Sequence, residues 1–243
     1  MAPGCVECHT TFAKIKYNDS NQATYNRSKI IYGVDCERCH GPSSSHVIYH
    51  QTFPNKKEAK FILKYQSFTR KQKLDACALC HSGIRSSSFT RPFEFLAGNN
   101  LDHFYMPTRI DYSGEIDVHG NQYGLLTASE CFKKSSAMDC STCHDPHRNE
   151  RGNIQQFINK CISCHDNQNT VNCSLSMSKR MGNEGKDNCV SCHMPSRPSK
   201  SMQIMNDEQH LEPVYLRTHH IAIYKKEVAI SGNKGLESYI EGL

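Results

Sequence analysis

Residues 36–40 of this chain read Cys36-Glu37-Arg38-Cys39-His40, two cysteines separated by two residues and followed directly by a histidine. The same C-x-x-C-H pattern starts five more times in the 243 residues, at positions 5, 77, 140, 161 and 189. C-x-x-C-H is the attachment signature of c-type haem, because each thiol adds to one vinyl group of the porphyrin and the histidine binds the iron. The sequence therefore predicts six covalent haems.

Zinc knuckles and redox disulfides also use paired cysteines, but neither class needs a histidine after every pair. With fourteen histidines in the chain, a histidine would follow all six pairs by chance on the order of a few times in a hundred million. Disulfides within the pairs would close very short loops, which stabilise a fold little. The pattern therefore favours haem over zinc or disulfides.

The motifs assign the residues that hold each haem. Two thioether bonds per haem give twelve attachment cysteines: Cys5, Cys8, Cys36, Cys39, Cys77, Cys80, Cys140, Cys143, Cys161, Cys164, Cys189 and Cys192. The histidine that completes each motif is the expected proximal iron ligand: His9, His40, His81, His144, His165 and His193.

Composition agrees with a cofactor-filled interior. Hydrophobic residues are 37% of the chain and tryptophan is absent, whereas a typical globular domain is about 45–50% apolar. We expect the porphyrins to supply much of the core. Apolar runs stay well below the roughly 18 residues of a membrane span, so we do not expect an integral membrane protein. The net charge of +5 comes from scattered basic residues, which does not favour nucleic-acid binding.

The unequal spacing of the motifs excludes a solenoid of equal repeats. We expect one hexahaem cytochrome c domain over residues 1–225, with haem clusters in 1–81 and 131–222 joined by the loop-rich stretch 82–130. Residues 226–243 are expected to form a peripheral tail. The predicted fold class is mainly α with extensive coil and little β, the chain being wrapped round a haem core.

Helical signals come directly before haem motifs. Thr69 and Gln72 have the spacing of a capping box in front of the third motif. Apolar residues in 154–161 follow the spacing i, i+3, i+4, i+7, which predicts a second helix that ends in the fifth motif. Segments 15–29 and 82–124 are predicted to be loops, because turn-forming residues cluster in them.

Eight histidines lie outside the motifs, enough to give every iron a second histidine. His46 and His147 follow a motif so closely that neither can cross to the far side of its own haem. Each is therefore expected to bind the iron of a neighbouring haem, with an ordinary surface position as the alternative. His119 and His103 lie in the longest stretch without a motif, and one or both are expected to bind iron.

The remaining candidates are near the second motif and the end of the chain. His219 and His220 are adjacent, so they point differently and at most one can bind a given iron. His50 and His210 are further candidates for which a surface position is the alternative. Methionine is a rival axial ligand, but Met194 directly follows a motif histidine and cannot cross the same haem.

Two cysteines, Cys131 and Cys173, lie outside the motifs. An even remainder in a chain that receives haem outside the cytoplasm suggests one disulfide. Two buried free thiols are the alternative.

The sequences Gly-Val-Asp-Cys-Glu-Arg-Cys-His-Gly-Pro at 33–42, Cys-His-Asp-Pro-His at 143–147 and Cys-His-Met-Pro at 192–195 resemble multihaem cytochromes c. The group includes the tetrahaem cytochrome of ammonia oxidisers, pentahaem nitrite reductase and octahaem hydroxylamine oxidoreductase. The resemblance implies that His46 and His147 are distal ligands of neighbouring haems. It implies the same role for a histidine beyond the last haem, such as His219.

Similar proteins usually carry a further region and a signal peptide before the position of Cys5. The chain is therefore expected to be the C-terminal part of a longer precursor, or a mature fragment, of a periplasmic or extracellular protein. One distal ligand could then come from outside these residues.

The leading interpretation is a cytochrome that relays electrons through closely spaced, mostly bis-histidine low-spin haems, with no catalytic residue. Its partners would be redox proteins, either other cytochromes or a quinol-oxidising complex. An oxidoreductase for a small nitrogen or sulfur oxyanion is the alternative, although the C-x-x-C-K motif of the related nitrite reductases does not occur. A filament-forming or otherwise oligomeric subunit is the third interpretation.

Overall fold

The structure is a computed structural model that describes residues 3–19, 23–83, 88–106, 116–165, 189–207 and 209–224. The chain divides into two compact units. The first contains Met1–Gly124 and Ala137–Cys140, and the second contains Leu125–Ser136 and Ser141–Leu243. The single domain expected over residues 1–225 stays a prediction, and the expected tail at 226–243 lies outside the described residues.

Eight short α-helices occur in the described residues: α1 (Pro3–His9), α2 (Cys36–His40), α3 (Ser44–Thr52), α4 (Arg70–His81), α5 (Gln122–Thr127), α6 (Glu130–Lys134), α7 (Ile154–His165) and α8 (Cys189–His193). Three 3-10 turns accompany them, at Tyr65–Ser67, Leu101–His103 and Cys140–Thr142. The longest of these helices have 12 residues, whereas a helix needs about 20 to cross a bilayer. The described residues therefore contain no helix that could span a membrane.

Within the described residues, each unit also contains one antiparallel β-hairpin. Strand β1 (Thr10–Tyr17) pairs with β2 (Ala23–Tyr32) in the first unit, and β3 (Ser196–Met205) pairs with β4 (Leu211–Arg217) in the second. Both ladders contain irregularities in register, between Ala13 and Ile15 for example.

The expected fold class, mainly α with little β, is wrong. Among the described residues 38% are helical and 21% are in strands, although much of the chain is coil as expected. The loop predicted at 15–29 is instead the middle of the β1–β2 hairpin. Its strands are rich in threonine, tyrosine and isoleucine, which suit a pleated surface. The turn-forming residues around Asp19 mark only the connection between the strands.

Helix α4 begins at the predicted capping box. The Thr69 hydroxyl accepts a hydrogen bond from the Gln72 amide at 3.3 Å, and the Gln72 side chain accepts one from the Thr69 amide at 2.8 Å. The helix then ends at His81. The third haem motif is therefore the C-terminal part of a helix whose N-terminus is fixed by both reciprocal hydrogen bonds of a capping box.

A small apolar core holds α4 in the first unit. Ala78 and Leu79 on the helix pack with Phe95, Leu101 and Tyr105. Buried Asp75 reinforces the contact, because its carboxylate accepts hydrogen bonds from the Leu101 amide and the Lys71 ammonium. In the second unit, the predicted helix before the fifth motif is confirmed as α7, with Ile158 on its buried side.

Substitution of Thr69 by alanine should remove one half of the capping box and destabilise the protein by about 1 kcal/mol. Chemical denaturation followed by far-ultraviolet circular dichroism measures the change. Thr69→Ser keeps the accepting hydroxyl and serves as the matched control. Equal stability of the alanine variant and the wild type would contradict the role of the cap.

Candidate haem sites

The motifs lie at the C-terminal ends of helices. His9, His40, His81, His165 and His193 are the last residues of α1, α2, α4, α7 and α8 respectively. The two cysteines of each of these motifs are three residues apart on a helix, so they lie on the same side of it. Both thiols can thus reach one edge of a porphyrin while the histidine follows at the helix end.

The fourth motif has a different local structure. Cys140–Thr142 form a 3-10 turn, and Cys143 and His144 follow it. A 3-10 turn also brings residues three apart onto one side. The cysteine spacing therefore keeps the same geometric meaning without an α-helix.

Four motif histidines have their Nδ1 atom against an oxygen atom. The distances are 2.7 Å from His40 to the Leu63 carbonyl, 2.9 Å from His193 to the Ala222 carbonyl, 3.1 Å from His144 to Glu150 Oε2 and 3.3 Å from His81 to Gln122 Oε1. An oxygen of this kind only accepts, so Nδ1 carries the proton and Nε2 keeps its lone pair. Iron-binding histidines are usually oriented in this way.

The Glu150 carboxylate is itself fixed. Its Oε1 atom accepts a hydrogen bond from the Asp145 amide at 3.0 Å. This bond lowers the pKa of Glu150, and the hydrogen bond from His144 lowers it further. The carboxylate is therefore ionised at neutral pH and accepts a hydrogen bond from the Nδ1–H group of His144. The ring of Phe157 lies 5.2 Å from that of His144, between centroids, and limits its rotation.

Motif thiols meet one another within the first unit. Cys80 on α4 hydrogen-bonds Cys8 of the first motif, and Cys77 on α4 hydrogen-bonds Cys140 of the fourth. These hydrogen bonds, and to a smaller extent burial, raise the pKa of Cys77 and of Cys80 well above the usual range of a cysteine. Helix α4 therefore brings the third motif into contact with attachment residues of two others.

Thiols also lie close together in the second unit. Burial and, to a smaller extent, the nearby thiols of Cys189 and Cys143 together raise the pKa of Cys161 to about 11. Cys131, which belongs to no motif, is half-buried near Cys164 and Cys143. Its expected partner Cys173 lies outside the described residues, so the disulfide stays a prediction.

A buried charge pair joins the first two motifs. Glu7 and Arg38, each from the middle of a motif, lie 3.8 Å apart and expose 7% and 8% of their side chains. Arg38 also donates to the Glu7 carbonyl at 3.0 Å, and Tyr105 donates to the Glu7 carboxylate. The C-x-x-C-H pattern says nothing about its two middle residues, so it does not predict this contact. Their opposite charges were the available signal.

The candidate distal histidines have varied surroundings. His46 and His50 lie on α3 with ring centroids 4.6 Å apart, and His46 has its Nδ1 atom 2.6 Å from the Lys60 carbonyl. His103 is exposed, whereas His119 is partly buried. His147 is 75% exposed beside Asp145.

The last candidate lies next to a motif histidine. The rings of His219 and His144 have centroids 6.1 Å apart.

The donor set fits c-type haem. A pair of thiols on one helical turn and an imidazole protonated at Nδ1 are what its attachment and axial ligation require. Zinc would instead need four converging ligands around one point. The motif residues that would hold the cofactor are therefore the attachment cysteines and motif histidines given by the sequence.

Comparison with known proteins relates the first part of the chain to a family of cytochromes. The family model of cytochrome c554 and c-prime matches residues 1–41, which contain the first two motifs. No curated protein and no solved structure matches the chain. The match supports a multihaem c-type cytochrome family, with covalent haem c and a role in electron transfer.

Proposed function

We propose that the protein is a hexahaem cytochrome c that relays electrons between redox partner proteins in the periplasm or outside the cell. Each motif would hold one haem by two thioether bonds and one histidine. When bound, the haem iron takes up and releases one electron at a time. No residue of the chain needs to act as an acid, base or nucleophile for this function.

The orientation of the motif histidines carries the proposal. Carbonyl or side-chain oxygens accept a hydrogen bond from the Nδ1–H groups of four motif histidines: His40, His81, His144 and His193. This arrangement directs Nε2 toward a metal and makes the imidazole more basic. Histidines that only pack against the protein would not need the same protonated ring nitrogen at four separate motifs.

Contacts between motif thiols support a relay. Because α4 touches attachment residues of the first and fourth motifs through Cys80 and Cys77, the third haem would have two close neighbours. Short distances between cofactors are what a chain of electron carriers needs. The third motif would therefore be a central position in the relay within the first unit.

The distal ligands belong to the same proposal. We assign this role to histidines outside the motifs: His46, His103, His119, His147 and His219, with His50 as the alternative to His46 on α3. His46 has the best-defined orientation, since the Lys60 carbonyl fixes its Nδ1 proton in the same manner as in the motif histidines. Most irons would then be six-coordinate and low-spin. The partners would be other cytochromes or a quinol-oxidising complex.

The haem count tests the proposal most directly. Intact-mass analysis after extraction with acidified acetone should show six haems retained on each chain, because thioether bonds survive this treatment. Cys77→Ala with Cys80→Ala is the control and should lower the count by one. Recovery of all haem in the organic phase, or of zinc in its place, would exclude the proposed function.

Ligation by His46 can be separated from ligation by His50. His46→Ala should convert one low-spin iron to a form that binds carbon monoxide when reduced, since its oriented imidazole is lost. His50→Ala on the same helix should leave the spectrum unchanged. The reverse pattern would assign the role to His50. Wild-type protein that is largely high-spin and turns over nitrite or hydroxylamine would favour an enzyme instead.

The charge on Glu150 should tune one haem. Glu150→Gln replaces a charged acceptor of the His144 proton by a neutral one, which makes the imidazole less basic and stabilises ferric iron less. The potential of that haem should rise by on the order of tens of mV. Spectroelectrochemical titration measures it. Glu130→Gln, at an exposed pair with Lys133, is the control, and an equal change in both variants would contradict the assignment.

A further inference from the structure

His144, a motif histidine, and His219, a histidine outside the motifs, lie next to each other in the second unit. Their ring centroids are 6.1 Å apart and their planes differ by 29°. A metal–nitrogen bond to imidazole is about 2 Å long, and the ring centre lies about 1 Å beyond the nitrogen. Two imidazoles on opposite sides of one iron therefore have centres about 6 Å apart, as these two do.

The His144 ring is already oriented for one side of such an iron. Its Nδ1 proton is directed at the Glu150 carboxylate, 3.1 Å away. Glu150 is in turn held by the Asp145 amide. The Nε2 atom of His144 is consequently the one that remains for the metal.

The backbone around His219 is held by a buried hydroxyl. Ser129 is fully buried, and its Oγ atom accepts a hydrogen bond from the Ile221 amide at 2.8 Å. The same Oγ atom lies 3.3 Å from two carbonyl oxygens, those of His219 and Leu125, and its hydroxyl group can donate to either. Ser129 therefore bonds to the chain on both sides of His220 and connects this segment to the residues before α6.

The residue before His219 adds a second fixed point. Thr218 is buried, and its amide donates to the Pro195 carbonyl at 3.1 Å. Its hydroxyl accepts from the His220 amide at 3.1 Å. The backbone from 218 to 221 is thus tied to two other segments of the second unit, which fixes the direction in which His219 leaves the chain.

The neighbouring histidine has a different role. The His220 Nδ1 atom lies 3.1 Å from the Tyr224 hydroxyl, and the two rings are perpendicular with centroids 6.2 Å apart. The sequence gives no reason to choose between two adjacent histidines. Their surroundings do, because only His219 lies against a motif histidine.

We infer that His219 is the second axial ligand of the iron bound by His144, and that Ser129 is the positioning residue that holds it there. The inference rests on the proposed function, since it requires haem at the fourth motif. It goes further by pairing two particular residues on one iron and by giving a role to a serine that no motif identifies.

The test uses the haem-loaded full chain and three variants. His219→Ala should retain all six haems by intact mass and lose one low-spin signal in the electron paramagnetic resonance spectrum. When reduced, it should bind one more carbon monoxide per chain than the wild type, and added imidazole should restore the low-spin signal. His220→Ala should match the wild type. A full haem complement with an unchanged His219→Ala spectrum would overturn the inference and leave the proposed function standing.

Ser129 requires a readout that a general loss of stability would not change. Ser129→Ala should give a mixture of low-spin and carbon monoxide-binding forms at the same single iron, with the other signals unaffected. Ser129→Thr keeps the accepting oxygen and should restore the wild-type spectrum. Changes spread over several haems in Ser129→Ala would overturn its role as a positioning residue.

The identity of the iron is tested by removing the fourth haem. Cys140→Ala with Cys143→Ala should give a five-haem chain, in which the further change His219→Ala creates no new carbon monoxide site. A new site there would show that His219 serves another iron. If the five-haem chain does not mature, a crystal structure of the haem-loaded wild type gives the answer, and any residue other than His219 opposite His144 overturns the pairing.

Discussion

The hydrogen bond from the Nδ1 atom of a motif histidine to an oxygen elsewhere in the chain determines how these sites are arranged. It selects the tautomer, turns the ring and connects a short helix to a distant segment, as in the bond from His40 to the Leu63 carbonyl. Helices of five residues such as α2 and α8 are too short to be stable alone. Their positions are therefore maintained by such contacts and by the cofactor that the thiols would bind.

Buried charge adds to this scaffold where apolar side chains are few. Glu7 and Arg38 occupy the variable middle positions of two motifs and form a pair shielded from water. Removing one partner of a buried pair costs far more than removing an exposed one, because the other charge stays buried. The first two motifs are thus joined through residues that take no part in attachment, and Tyr105 extends the contact to the core around α4.

The parts of the fold that follow from the sequence are those set by covalent chemistry or helix periodicity. The sequence predicts the capping box at Thr69 and the helix that ends at His165, and both are present. The β1–β2 hairpin is not predicted, because the turn-forming residues around Asp19 indicate a loop and the strands on either side carry no stronger local signal. Contacts such as Ser129 with Ile221 join residues 92 positions apart, and no local pattern in the sequence encodes them.

The oxygens that orient His40, His81, His144 and His193 share one property: each lies later in the chain than the histidine it serves. Leu63 follows His40, Gln122 follows His81, Glu150 follows His144 and Ala222 follows His193. If the polypeptide is exported N-terminus first, each thiol pair is exposed while the imidazole of the same motif can still rotate. Attachment of a haem and fixation of its histidine ligand would then be separate events in time. The haem sites would be completed one after another, from the N-terminal motif to the C-terminal one.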